Sequence, residues 1–218
     1  LSKYLNKVNC ILPPVEVRQT SEQERKRWAL DQGVAGKWPI IGVGVRLAAE
    51  KGIEYLLQAL PTILDEYPDA VVLHVGPTER VIGEQRYRRW LEPMLERFRD
   101  HYKFLGTLSP DEMGMFFGNC DVHVLPSVNS TETFGLVQIE AAICGTPTVA
   151  TELPGVRVAT RMTGMGVSVP PRDSGALAGA ILRVLSEKPT NRYGRDALER
   201  EFSPDVAAAR YEQVFRDL

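Results

Sequence analysis

Apolar positions change period several times along the chain, and each change marks an element. Pro39 to Val45 (Pro39-Ile40-Ile41-Gly42-Val43-Gly44-Val45) is a β-branched run bounded by glycine, the pattern of a strand buried on both faces. From Lys51 to Tyr67, Ile53, Leu56, Leu57, Leu60, Ile63 and Leu64 recur at helical spacing and predict a helix with one apolar stripe. Ala70 to Val75 reads as a second strand. Tyr87, Trp90, Leu91, Met94, Leu95 and Phe98 then restore helical spacing between Glu84 and Asp100. Further strands are predicted at Tyr102 to Leu105, Asp121 to Leu125, Thr146 to Thr151 and Gly166 to Val169, with helices at Gly135 to Cys144 and Ser174 to Leu185.

Capping chemistry sharpens the boundaries. Ser21 with Glu24 forms a capping box and Gly33 sits where that helix would stop; Ser109-Pro110-Asp111-Glu112 opens another helix. Ser203-Pro204 starts a closing helix that offers Val206, Tyr211, Val214 and Phe215 for packing. Strand alternating with helix implies parallel crossovers, hence an α/β fold: a doubly wound, Rossmann-like parallel sheet flanked by helices, with its ligand site at the carboxyl ends of the strands. Residues 1–37, interrupted by proline and then charged, are read as a linker and short helix entering the domain formed by 38–218. The chain opens on Leu1 rather than Met, so a piece of a longer protein is expected.

With 218 residues, one domain is expected, able to hide ~70–75% of its unfolded surface. Charged residues make up 25%, but 26 basic against 28 acidic side chains leave a net charge of -2 and no electrostatic footprint for non-specific nucleic-acid binding. Any anion site must be local. No apolar run approaches the ~18 residues of a membrane span, and Leu1 to Leu5 carry no signal pattern. Cys10, Cys120 and Cys144 are odd in number and lack a C-x-x-C spacing, which fits reduced thiols in a cytoplasmic protein, three small buried hydrophobes. His74 and His123 fall in strand patterns and are expected as hydrogen-bonded core residues, with His101 on a surface turn; nothing has the form of a metal triad.

Two segments could carry chemistry. Gly42 to Gly52 follows the first strand, and its glycines would let backbone approach an anion beside Arg46 and Lys51. The third glycine of a dinucleotide fingerprint would fall at Leu47, and no P-loop G-K-[ST] follows; alone, the segment reads as a strand end with two surface cations. The second segment runs from Leu125 to Ala142. Here a strand ends, a polar loop intervenes and a helix is expected from Phe134 or Gly135, with Glu132 just before it and Glu140 in its second turn. At 1.5 Å per residue the two acids would stand roughly 8–10 Å apart, too far to share one atom. Each could instead accept from a different diol, one on a sugar and one on a ribose, with phosphates between. The plainer account makes Glu132 a cap and Glu140 a solvated helix position. Glu140, however, is flanked by Ile139, Ala141, Ala142, Ile143 and Cys144, where a carboxylate without a partner is costly, and this favours the functional reading.

Those acids lie in ETFGLVQIE, an E-x7-E arrangement followed by AAICGTPTVATELPG; VRLAAEKG, HVGP, FLGTLSPDEM, DVHVLPS and GVSVPPRD occur around it in order. On these segments, from about Asn9 to Leu185, the chain resembles the C-terminal, donor-binding domain of a retaining group 1 glycosyltransferase with the GT-B fold. The resemblance implies that Arg46 and Lys51 bind the donor diphosphate, that Glu132 holds hydroxyls of the transferred sugar, and that Phe134, Gly135 and Leu136 present backbone N–H groups to sugar and phosphate. It further implies that Glu140 binds the ribose diol, that Thr107 and Leu108 meet the base edge through backbone, and that Gly76 lines the cleft. Arg46, Lys51 and Glu132 are the catalytic candidates.

The implied reaction moves a hexose from a UDP- or GDP-sugar to an acceptor hydroxyl with retention and without a metal ion or other cofactor. The implied partner is a missing N-terminal acceptor-binding domain, through which any membrane contact would be made; without it the chain is expected to bind nucleotide weakly and to transfer little or no sugar. Val45 stands where the family usually has glycine, and Gln138, where the family is commonly apolar, is expected to face the cleft or solvent. A non-catalytic nucleotide-sugar-binding or regulatory module and a GT-B sugar-nucleotide epimerase or phosphorylase are the alternatives.

Overall fold

The computed structural model describes residues 8–79, 81–187 and 194–217. Leu1 to Leu5, read above for a signal pattern, lie outside them. Among the described residues, β1 (Ile40–Gly44), β2 (Val71–Val75), β3 (Tyr102–Gly106), β4 (Val122–Leu125), β5 (Thr148–Thr151) and β6 (Gly166–Val169) form one parallel sheet in the order β3-β2-β1-β4-β5-β6. The doubly wound expectation is met. β1 pairs with β2 through Ile41↔Val72 and with β4 through Ile41↔Val122, so the strand order reverses at its carboxyl end. At such a reversal neighbouring loops diverge and leave a crevice.

Alternation along β1 divides the core. Ile41, Val43 and Val45 join the apolar cluster that includes Leu56, Leu57, Leu60 and Ile63 of α2 (Ile53–Glu66) and Leu177 and Ile181 of α7 (Ser174–Glu187), while Ile40 joins Phe116 and Phe117 of α4 (Pro110–Asn119). α3 (Gln85–Arg97) adds Leu91 to the first cluster, and α1 (Glu22–Asp31) adds Trp28 to the second. A third cluster gathers Ile139 and Ile143 of α5 (Val137–Ile143), Ala159 of α6 (Val156–Thr163), and Leu198 of α8 (Arg195–Glu201). The amino-terminal part is tied to this body, since Val15 N–H donates to Phe202 O at 2.7 Å. Both capping boxes form, at Ser21–Glu24 and Ser109–Glu112.

Some expectations need correction. α6 was not anticipated. α5 begins at Val137, so Glu140 lies in its first turn and Glu132 sits five positions upstream of the helix. In α9 (Pro204–Arg216), Ala207 is buried, whereas Tyr211 and Phe215 are 53% and 70% exposed. Cys10 is exposed, Cys144 half-buried and Cys120 buried, so only one of the three behaves as a core thiol. His74, through both ring nitrogens, and His123, whose Nδ1 lies 3.3 Å from Thr148 Oγ1, are hydrogen-bonded core residues as expected, although His123 Nε2 is buried without a partner among the described residues. His101 is half-buried against Ala70 O.

Candidate functional site

The crevice is built by the crossovers leaving β1 and β4. After β1 the chain makes a short 3-10 turn at Ala49–Lys51 and enters α2 through Gly52. After β4 it runs through Pro126 to Leu136 into α5. The two loops are joined at three levels. Val128 N–H donates to Glu50 O at 2.9 Å. Gly52, at φ +64, comes so near Pro126 that an added Cβ would stand 2.3 Å from its carbonyl oxygen. Lys51 Nζ donates to Glu132 Oε2 at 2.7 Å, with side chains only 15% and 16% exposed. An ion pair shielded to that degree is screened far less than a surface pair.

A cavity of about 670 Å³ opens at this junction, lined in part by Val45, Arg46, Lys51, Glu132, Phe134, Gly135 and Leu136. Its volume is in the range usual for small-molecule sites. Two cations, one acid and the loop before α5 thus meet at one place. Among the described residues the N–H groups of Phe134, Gly135 and Leu136 find no protein acceptor. Arg46 is 55% exposed and donates to Glu50, through Nε at 3.2 Å and through Nη2. Burial works against the Glu50 carboxylate, yet the Arg46 hydrogen bond and the neighbouring charges hold its pKa below the usual carboxylate value.

The remaining candidates lie elsewhere. Glu140 does not line the cavity. It is half-buried, and desolvation raises its carboxyl pKa. Thr107 and Leu108 follow β3, two strands from β1, with Thr107 exposed and Leu108 half-buried against the α1–α4 cluster. Gly76, at φ +132, backs onto the Val45–Arg46 peptide: an added Cβ would meet Val45 O at 2.3 Å. Val45, in the family's glycine position, turns its side chain into the core, 8% exposed.

Gln138 corrects an expectation and exposes supports that sequence reasoning missed. It faces neither cleft nor solvent, being 2% exposed. Its Nε2 donates to Phe134 O at 3.3 Å and Val156 O at 2.9 Å, and its Oε1 accepts from Thr160 Oγ1 at 2.6 Å. It therefore ties the acidic loop to α6. Gly155, the residue before α6, lies under the same loop, where a Cβ would stand 1.7 Å from Thr133 O. The glycine in TELPG was a visible signal; the Gln138 partners, 18 and 22 positions onward, were not.

A profile for the family described as Glycosyl transferases group 1 matches residues 24–200. Glycogen synthase of Mycobacterium tuberculosis is 31% identical over 91% of this chain and 47% of its own length. D-inositol 3-phosphate glycosyltransferase of Corynebacterium urealyticum is 34% identical over 75% of this chain and 38% of its own. The structure of Anabaena Alr3699/HepE in complex with UDP and glucose superposes with a TM-score of 0.77 at 25% identity, covering 92% of this chain and 54% of that one. The chain spans about half the length, or less, of these proteins.

Proposed function

The chain belongs to the group 1 glycosyltransferases, and from that premise we propose that it is the half of a retaining enzyme that binds a UDP- or GDP-hexose for transfer to an acceptor hydroxyl. One observation carries the reading: Arg46, Lys51, Glu132 and the unsatisfied N–H groups of Phe134, Gly135 and Leu136 converge on one cavity at the strand-order reversal. The UDP and glucose complex of the Anabaena neighbour supports it.

Arg46 and Lys51 take the diphosphate, and Glu132 with the loop N–H groups takes the sugar. As the bond from the anomeric carbon to the phosphate oxygen breaks, negative charge grows on the diphosphate. Fixed cations and amides beside that oxygen lower the barrier without reorganising. The acceptor oxygen bonds to the same face of the anomeric carbon, and its proton passes to the departing phosphate. These groups supply the compensating charge, so the reading requires no divalent ion. Glu140 is assigned to the ribose diol, and Thr107 and Leu108 to the base edge.

The ion pair refines one expectation. Glu132 restrains Lys51 as well as serving the sugar, so Glu132→Ala alters diphosphate binding too. The acceptor side belongs to a further N-terminal domain, in keeping with relatives about twice as long. The chain alone then binds nucleotide and transfers little or no sugar. The enzyme works in the cytoplasm, with any membrane contact made by that other domain; among the described residues no helix is long and apolar enough to cross a membrane.

Calorimetric titration with UDP, GDP and ADP, with and without EDTA, tests the reading. One uridine or guanosine diphosphate binds regardless of EDTA, and Arg46→Ala and Glu140→Ala weaken it about tenfold or more. Absence of binding, or affinity untouched by both substitutions, rejects it.

A further inference from the structure

Arg46 is a candidate phosphate ligand whose side chain is more than half exposed, so its aim depends on the backbone that carries it. That backbone is fixed from β2. His74, wholly buried near the carboxyl end of β2, places Nε2 2.7 Å from Val45 O and Nδ1 2.7 Å from the Tyr102 hydroxyl of β3. A carbonyl only accepts, so Nε2 carries the proton. Burial lowers the His74 pKa to about 4, so at neutral pH Nδ1 is bare and accepts from Tyr102. The Val45 carbonyl thus fixes the tautomer, and the Tyr102 hydroxyl, donating to the remaining bare nitrogen, anchors the ring with which His74 grips the peptide joining Val45 to Arg46.

Two further contacts close around that peptide. Gly76 comes so near that an added Cβ would lie 2.3 Å from Val45 O and 3.1 Å from Arg46 N. Leu47 N–H donates to Pro77 O at 2.9 Å. With the Val45 side chain packed in the core, the peptide is held on both sides and Arg46 leaves it in one direction.

We propose that His74 is a positioning residue for the donor diphosphate, holding the Val45 carbonyl so that Arg46 is aimed at the phosphates, with Tyr102 as the group that anchors its ring through Nδ1. This rests on the donor-site reading above. Its distinctive consequence is selective: loss of His74 harms recognition of the second phosphate, which Arg46 serves, and spares the nucleoside.

The test measures Kd for UDP against UMP, and for GDP against GMP, on the whole chain by calorimetry. His74→Leu should cut the preference for diphosphate over monophosphate about tenfold, and His74→Gln, whose amide can donate to Val45 O, should restore most of it. Tyr102→Phe removes the hydrogen bond that anchors Nδ1, loosens the ring against the Val45 carbonyl and should cut the preference about threefold. In the His74→Leu/Arg46→Ala double variant the losses should not add, because one acts through the other. If His74→Leu fails to fold, Tyr102→Phe decides: an unchanged preference overturns the proposal. Equal weakening of mono- and diphosphate, or losses that add to those of Arg46→Ala, also overturns it while leaving the donor site intact. If Arg46→Ala by itself leaves diphosphate affinity unchanged, the donor-site reading fails first.

Discussion

Gly155→Ala isolates the support beneath the acidic loop. Gly155 has φ -80 and ψ -44, which alanine adopts freely, so the substitution introduces no backbone strain. Its effect is steric. The new Cβ would stand 1.7 Å from Thr133 O and 2.6 Å from Thr133 C, whereas real Cβ atoms hardly ever come within 3.0 Å of such neighbours. Loop and α6 must therefore part by about 1.3 Å or more, at a stability cost of ~1–3 kcal/mol. Thr133 stands between Glu132, held by Lys51, and Phe134, held by Gln138, so separation displaces Glu132, the acid proposed to hold the sugar, or breaks one of these bonds. Losing one charge-assisted hydrogen bond to ligand costs ~1.5–3 kcal/mol, which weakens UDP-glucose binding about ten- to hundredfold and UDP binding less. Gly179→Ala is the control: within α7, with nothing inside 4 Å of its Cβ, it should stabilise by ~0.5–1 kcal/mol and leave affinity alone. Urea unfolding and calorimetric titration read both quantities. A Gly155→Ala chain with wild-type stability and wild-type UDP-glucose affinity would refute the reasoning.

Lys51→Met strips a well-shielded carboxylate of its cation and should destabilise the fold by ~1–2 kcal/mol, between the values for exposed and buried pairs, while reducing the preference for UDP over UMP; an unaltered urea midpoint would show the pair to be idle. Gln138→Leu leaves the Thr160 hydroxyl and the Val156 carbonyl without their partner, a loss of ~1–3 kcal/mol in urea unfolding, and unchanged stability would mean the buried network contributes nothing. Burial depresses His74 to about 4 and His123 to about 3, so both are neutral in the fold and charge more readily when unfolded. Their contribution is complete above pH ~6.5 and is lost as pH falls toward those values, at ~1.4 kcal/mol per pH unit for each ring. Denaturation at pH 7, 6 and 5 should show this decline, shallower in His123→Leu; a flat profile would contradict it.

The strands were legible because four of the six, β1, β2, β4 and β5, are buried along their length apart from Gly44 at the end of β1 and are spelled largely by β-branched or aliphatic runs, and α1 and α4 because their capping boxes lie within four consecutive residues. α6 was missed because Val156–Thr163 is rich in β-branched residues that argue against a helix, although its buried positions, Val156, Ala159, Thr160 and Thr163, keep helical spacing. α9 misled in the opposite sense, since an apolar residue in a helix does not say whether anything covers it, and Tyr211 and Phe215 are uncovered. At the site, the charged residue types could be read from spacing and resemblance. Their supports could not: His74 reaches the loop after β1 from a neighbouring strand, and Gln138 finds partners on a helix the pattern concealed.

Lys51 and Glu132 are separated by 81 positions, yet they meet across the cleft. In the proposed donor site, the cation comes from one side of the strand-order reversal and the acid from the other, so the site exists only once both sides have docked. On that reading, a ligand seated there acts as a clasp on the whole sheet rather than on one loop.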